Sequence, residues 1–331
     1  MKIKEVIGID ISKLRNEGCI HTNQMTLNFE NNTKGFNILI KWVNKHSKYK
    51  PEEILYCFEH TGVYSFELAY FLTNKQYPFV LVPGLEIKRS LGIQRGKNDK
   101  VDAARISLYA YRRKEEIVPS KMPSKDLIKI KYFLSAREQL VKHRSGYKII
   151  LKEQTKVLEK QEGKLFTSIY KQLIHEFNKK IAQIEAELSI IISKNHQIKK
   201  MFDLITSIKG VGAQTALFII VLTNGFESFK NARKFASYAG IAPFQYESGS
   251  SIKGKTKVSH LANKKIKALL SSCAISAINH NTEIKDYYNR KIKEGKHKMC
   301  VINAVRNKIL ARIFAVVQRQ TPYVDTHRFA C

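Results

Sequence analysis

Asp10, Glu59, Asp99 and Asp102 are the residues whose placement in this chain most suggests chemistry. Asp10 closes the apolar run EVIGID and Glu59 closes ILYCFE, and both runs read as buried strands. Asp99 and Asp102 lie three apart in KNDKVDA, a spacing that puts both on one face of a helix. Four carboxylates delivered by two strand ends and one helix can gather around a hard divalent cation. Mg2+ suits such a set, because it takes oxygen ligands and keeps room for water and phosphate oxygens. Two such ions about 4 Å apart stabilise an in-line phosphoryl displacement. Singly, each acid has a plainer reading. Strand-end acids often cap turns, Asp99 can be an N-cap, and Asp102 can pair with Arg105 or Arg112. Their order within one region, D…E…D-x-x-D, favours a site.

A second group lies far along the chain. YAGIAPFQYESGSSIKGKTKVSHLAN, between Tyr238 and Asn263, is a polar loop rich in Gly and Ser, with Lys253, Lys255 and Lys257 and only Glu247 as a local acid. A serine hydroxyl attacks a phosphate only when it loses its proton and the developing charge is stabilised. Metal, lysines and backbone donors supply both. Taken alone, SGSS is a flexible linker. Upstream, Ile208-Lys209-Gly210-Val211-Gly212 sits between two apolar helical patterns and reads as a helix-hairpin-helix. Its glycines let the turn approach a phosphate, and the following helix offers free N–H groups and a positive dipole end.

The elements that must position these groups fall into three stretches. Residues 1–119 alternate strands and helices: EVIGID, an extended CIHTNQMTLNFE, helical KGFNILIKWVNKHSK, the ILYCFEHTG strand, helical VYSFELAYFLTNKQ, the strand YPFVLVPG, a short basic segment LEIKRSLGIQRGKN, and a helix from Asp99 to about Arg113. That alternation predicts an α/β domain, and the order of acids is that of an RNase H-like sheet, with the first Asp on a central strand and the second acid on its neighbour. Residues 120–200 have no Pro after Pro123 and only Gly146 and Gly163. Leu134, Leu140, Leu151, Leu158 and Leu165, then Ile181, Ile184, Leu188 and Ile191, recur at helical spacing. They predict an antiparallel coiled-coil arm suited to packing on itself or a second subunit. Residues 201–331 predict a mainly helical domain: ARKFASYAG, NKKIKALLSSCAISAINH, EIKDYYNRKIKEG and CVINAVRNKILARIFAVVQRQ flank the serine loop.

Charge points to the partner. The 331 residues hold 58 Lys+Arg against 28 Asp+Glu, a formal +30. The excess is graded: 19 basic and 13 acidic residues in 1–119, 18 and 8 in 120–200, and 21 and 7 in 201–331. A gradient towards the serine loop is not what a uniformly lysine-rich composition produces, and it predicts a polyanionic partner. The 44% hydrophobic content supports packed cores. Five cysteines without CxxC pairing fit a reducing compartment, and ten histidines without HxxxH or HExxH spacing argue against a zinc enzyme. No run reaches a membrane span and MKIKEVIGIDISK turns polar too soon for a secretion signal, so the expected location is cytoplasmic.

GIDISK, FEHTG, KNDKVDA, IKGVGAQTA and ASYAGIAPFQYESGSSIKGKTKVSHLANKKIKALL stand in the order seen in the insertion-sequence-110 transposases, which this sequence resembles over nearly its whole length. These are DEDD-type recombinases, some guided by a bridge RNA. The resemblance implies a RuvC-like N-terminal domain, a coiled-coil arm and a C-terminal transposase domain. It implies that Asp10, Glu59, Asp99 and Asp102 hold Mg2+, and that a nucleophilic serine, mapping best onto Ser248, forms a transient 5′-phosphoserine link to DNA. It also implies a non-coding guide RNA as partner. Family members read S-S-G or similar there, followed by a basic stretch ending in Gly-Asn. Here Ser250 and Ser251 follow Ser248 and stand as alternative nucleophiles, and Ala262 takes the place of the Gly.

The acids and Ser248 must serve one scissile phosphate, within a chain or between protomers, so a homodimer or tetramer is expected. Two other readings compete. A RuvC-like junction nuclease would use metal-activated water and leave the serine loop as a DNA-binding turn. A non-enzymatic basic module would keep all activity without Asp10. For RNA the residues supply charge and the aromatics Tyr109, Tyr111, Tyr132 and Tyr147, but no RNA-binding motif.

Overall fold

The computed structural model describes residues 2–60, 62–90, 98–157, 163–229, 231–248, 252–258 and 262–325, with backbone only at 63, 245–248, 252, 253 and 255–257. The chain divides into two compact units, Met1–Met122 and Pro123–Cys331.

In the first unit β1 (Glu5–Asp10), β2 (Arg15–Ile20), β3 (Thr26–Glu30), β4 (Ile54–Glu59) and β5 (Phe79–Val82) form one mixed sheet in the order β3-β2-β1-β4-β5. β1 pairs antiparallel with β2 and parallel with β4, and β4 is parallel to β5. β1 and β4 are buried on both faces, which is why they read as unbroken apolar runs. On one face α1 (Thr33–His46) and α2 (Val63–Asn74) bring Phe36, Leu39, Leu68 and Leu72 onto Ile7, Ile9, Tyr56 and Phe58. On the other, α3 (Gly84–Ser90) and α4 (Asp99–Arg112) bring Ile87, Ile106, Tyr109 and Ala110 onto Val6, Leu55 and Cys57.

Two sequence expectations change here. The single extended segment CIHTNQMTLNFE is two strands around a turn with Gln24 at φ +56°, and β2 begins earlier, in the polar RNEGCI. LEIKRS, expected as a basic connection, is helical in α3.

The second unit begins with α5 (Lys125–Gln154) and α6 (Lys164–Lys194), two long antiparallel helices. Arg137 pairs with Glu185 at 2.8 Å, Arg144 Nη1 donates to Asn178 Oδ1, and Tyr147 packs on Phe177 and Tyr170. Leu127, Ile130, Leu134, Leu188 and Ile192 bury the base of this hairpin in the helical core. Then come α7 (His196–Thr206), α8 (Ala213–Leu222), α9 (Ala232–Tyr238), the strands β6 (Pro243–Ser248) and β7 (Ile252–Val258), α10 (Lys264–His280), α11 (Thr282–Lys293) and α12 (Lys298–Arg319). Asparagine starts many of these helices: Asn32, Asn98, Asn195, Asn231, Asn263 and Asn281 each accept a backbone N–H of the first turn. A short amide acceptor there satisfies a donor that the helix leaves free. Among the described residues no helix is long and apolar enough to cross a membrane.

Gly8 fixes how closely α4 lies on the sheet. A Cβ there would stand 2.2 Å from Ala103 O and 2.3 Å from Ser107 N, both backbone atoms. Gly18 on β2 has room, its nearest atom being Leu39 Cδ1 at 3.4 Å. Gly8→Ala is expected to destabilise the first unit by about 1–3 kcal/mol or more, the usual cost of overpacking, while Gly18→Ala changes it by less than about 1 kcal/mol. Denaturant melts of the two variants check this.

Candidate active site

Register brings the acids together. The parallel pairing matches Gly8 with Cys57 and Ile9 with Phe58, so one rung on Asp10 lies beside Glu59 at the carboxyl ends of adjacent strands. Val6, Leu55 and Cys57 belong to the α4 side of the sheet and Ile7, Ile9, Tyr56 and Phe58 to the other. By strand alternation Asp10 and Glu59 therefore project towards α4.

The direction of α4 follows from its contacts. Its middle, Ala103 to Ser107, sits against Gly8. Its last turn stacks Tyr111 on His21, with ring centroids 4.1 Å apart, and the His21 N–H donates to the Val6 carbonyl. The helix thus runs antiparallel to β1, and the turn carrying Asp99 and Asp102 stands at the Asp10 end. Asn98, not Asp99, is the N-cap, accepting from Lys100 N at 3.1 Å. Two acids in a first turn also suit the positive end of the helix dipole.

The individual environments differ. Asp10 and Glu59 are half-buried and Asp99 is exposed. Asp102 accepts from Arg105 Nη1 at 2.9 Å, the nearer of its two candidate partners, three residues on along the helix. Glu59 lies against the backbone of Gly84: a Cβ at Gly84 would fall 2.0 Å from Glu59 Oε1. Among the described residues no three His, Cys, Asp or Glu side chains converge tightly enough to hold a metal ion. The acids share one end and one face of the sheet without forming a closed cage. Their donors are all carboxylate oxygens, the set that a hard cation prefers.

Thiols take no part in this arrangement. Cys19, Cys57 and Cys273 are buried, and burial pushes all three thiols up, against weaker opposing effects of Ser107 beside Cys19 and of Thr215 and Gly212 beside Cys273. A raised thiol is the opposite of a poised thiolate nucleophile.

In the second unit the serine segment is a hairpin rather than a loop. β6 and β7 pair antiparallel, with an irregularity between Phe244 and Tyr246. Ser248 is the last residue of β6, opposite Ile252, and Lys253 pairs with Glu247 and Lys257 with Phe244. Lys255 lies on the same strand. The side chains of Ser248, Lys253, Lys255 and Lys257, and the alternatives Ser250 and Ser251, lie outside the described residues. The entry to the hairpin is pinned from α12, where Asn303 and Asn307 both donate to the Ile241 carbonyl, at 2.8 and 3.1 Å. Arg306 beside them is buried, its Nη1 on Asn303 Oδ1 and its Nε without a partner.

The glycine turn between α7 and α8 separates its two glycines. Gly210 has φ +94° and packs on α10, where a Cβ would come within 2.8 Å of Ala277 N. Gly212 has open space around it and is the N-cap of α8. Lys209 pairs with Asp325 at 3.3 Å, and Tyr323 N donates to Ser207 Oγ, so the segment after α12 lies over this turn.

Gly8, Gly84, Glu17, Asn303 and Asn307 escaped the reading of the sequence. Gly84 carried only the Pro-Gly signal of a turn. The two asparagines sit four apart on a helix, a spacing that shows a shared face without showing what it holds.

Comparison with known proteins agrees in both halves of the chain. Residues 7–158 match a DEDD transposase model of IS110 elements, and residues 202–289 match a model described as the transposase IS116/IS110/IS902 family. The pilin gene-inverting protein of Moraxella lacunata is 28% identical over 97% of this chain and 98% of its own length. The transposase for insertion sequence element IS1111A of Coxiella burnetii is 24% identical over 70% of this chain and 69% of its own. An insertion element IS110 protein of Streptomyces coelicolor is 29% identical over 42% of this chain and 33% of its own. With both of its halves accounted for in this way, the chain belongs to the IS116/IS110/IS902 family of transposases and is a DNA transposase/recombinase.

Proposed function

We propose that the protein cuts and rejoins DNA of a mobile element, using Ser248 as nucleophile and Mg2+ held by Asp10, Glu59, Asp99 and Asp102, with a non-coding RNA as guide. The observation that carries this reading is the strand register, which sets Asp10 beside Glu59 under the helix turn bearing Asp99 and Asp102. When bound, the cation would draw charge from the phosphate oxygens as the phosphorus is attacked.

The chain's own groups account for the remainder. The Ser248 hydroxyl loses its proton and attacks phosphorus; the bond from its oxygen to phosphorus forms as the bond to the 3′-oxygen breaks. That oxygen takes a proton and leaves as a 3′-hydroxyl. In rejoining, another 3′-hydroxyl attacks the phosphoserine and Ser248 is released, so the number of phosphodiester-type bonds is unchanged. Lys253, Lys255 and Lys257 lie on the strand that pairs with that of Ser248, and in this reading they supply positive charge to the bound DNA. Lys209, Gly210 and Gly212 form a second DNA contact, with the free N–H groups at the open N-terminus of α8 donating to a backbone phosphate. The pairing of Lys209 with Asp325 must open for that contact to be made. A relative named for inverting a pilin gene fits the same chemistry, since inversion is also strand exchange.

The helical arm is the self-association element in this reading. Leu165, Ile169 and Leu173 recur every fourth residue of α6 and are exposed. An apolar stripe of that spacing suits a second copy. Ile169→Glu with Leu173→Glu is expected to lower the mass measured by sedimentation while the helical circular dichroism is retained.

Two further outcomes are expected. Reaction with DNA of the element ends leaves a covalent protein–DNA adduct that Ser248→Ala abolishes. Cleavage that persists in Ser248→Ala and leaves free 5′-phosphates would instead establish the runner-up, a junction nuclease using water. Gly84→Ala pushes the Glu59 carboxylate aside at little cost, because the atoms met are the end of a flexible side chain. Its melting temperature should stay within a few degrees of wild type while adduct formation falls roughly 10–100-fold, the range that misplacement by about 1 Å produces. RNA sequenced from the purified protein should be one discrete non-coding species; its absence from a low-salt preparation would remove the guide from the scheme.

A further inference from the structure

We propose that Glu17 is a fifth acid of this site and binds the same divalent cation as Asp10, an inference that rests on the metal reading above. The antiparallel register of β1 and β2 pairs Glu17 directly with Asp10. Glu59 occupies the next rung on the other side of β1. Three adjacent strands therefore end in a row of carboxylates, Glu17, Asp10 and Glu59, at the spacing of about 4.8 Å that separates paired strands.

Glu17 faces the same way as Asp10. Along β2, a Cβ at the next residue, Gly18, would meet Leu39 and Phe29 on the opposite face, and beyond it His21 stacks on Tyr111 of α4. Glu17, out of step with Gly18 and in step with His21, is on the α4 face. The side chain is 5% exposed. Its Oε2 accepts from Asn28 Nδ2 at 3.0 Å, from the β3 side. Its Oε1 is buried and has no hydrogen-bond partner. With Asn28 holding one oxygen from β3, the other is left for the β1 side, where Asp10 stands.

A buried carboxylate oxygen without a donor is a costly thing to keep in a core. In most positions of a sheet it would be replaced by an amide or an apolar group, which pack at lower cost. A cation shared with Asp10 supplies the missing positive charge and makes the burial useful, since a fixed and water-shielded oxygen is an unusually well-oriented ligand. Asn28 then acts as the group that orients the ligand, in the way outer hydrogen bonds commonly fix carboxylates around metals.

The test uses the full chain and Mn2+ as the probe ion, read by calorimetric titration and by thermal unfolding with and without the ion. Wild type should bind Mn2+ and melt higher as the ion is added. Glu17→Gln keeps the shape of the side chain and removes the buried charge. It should melt at or above the wild-type temperature in the absence of the ion, and bind Mn2+ at least tenfold more weakly. Glu17→Asp, which keeps the charge but shortens the reach, should fall between the two. Asp10→Asn separates the layers of the argument: if it loses Mn2+ binding while Glu17→Gln and Glu17→Asp both keep wild-type affinity, Glu17 is not a ligand and the metal site stands without it. No Mn2+ response in wild type would overturn the metal reading and this proposal together. Glu17→Gln that unfolds early without the ion yet keeps full Mn2+ affinity would assign Glu17 a structural role and overturn the proposal. If Glu17→Gln does not fold, the affinity of Glu17→Asp decides, and wild-type binding there counts against it.

Discussion

With only hydrogen at Gly8, the sheet admits the backbone of α4 to a distance that a methyl group would forbid. The consequence reaches well beyond local packing. A helix seated on the central strand, rather than raised by a layer of side chains, holds its first turn close to that strand's end. Asp99 and Asp102 reach the neighbourhood of Asp10 because of this approach, and Arg105 can pair with Asp102 without leaving the helix face. The other end is held by the stacking of His21 on Tyr111. Contacts at the middle and at the last turn of one helix thus fix both its height and its direction, and with them the acid-bearing end.

What could be read beforehand followed from burial. β1, β4 and β5 are covered on both faces, so their apolar runs are continuous and their terminal acids stand out. The long helices were equally plain from their spacing. β2 was not, because RNEGCI carries charge, amide and glycine where strand formers are usual, and its strand character comes from pairing with β1 rather than from its own residues. Glu17 was hidden for the same reason. It stood in a stretch to which no element was assigned, and its significance depends on being opposite Asp10, a fact of register that no local pattern contains. The serine segment failed in a different way. Glycine and serine predict a loop, but Pro243–Ser248 and Ile252–Val258 pair across it, so Ser248 sits at the end of a strand instead of on a free chain.

The turn between α7 and α8 shows how one motif can serve two ends. Its glycines were read together as an approach to phosphate. Gly210 is needed by the protein itself, since its positive φ and the contact with Ala277 exclude any side chain. Only Gly212 leaves its side open. A glycine pair of this kind signals that a turn is tight; which member faces outwards depends on what packs beneath, here α10.

The charge distribution sets the last constraint. A chain of +30 attracts a polyanion over distances comparable to the screening length, about 8–10 Å at physiological salt. Close to the end of β1 the sign reverses, because Asp10, Glu59, Asp99, Asp102 and the buried Glu17 all stand there. A phosphate drawn in by the basic surface would be repelled at the one place where the acids could act on it. The two features are compatible only if positive charge arrives with the phosphate or before it. Arg105 pairs with one of these carboxylates, Asp102. In the proposed reading a divalent cation would supply that charge, and the same ion would give the unpartnered oxygen of Glu17 something to bind. In that reading the basic excess of the chain and its few clustered acids would be parts of one arrangement: long-range attraction to bring nucleic acid, and a local site that would admit phosphate together with metal.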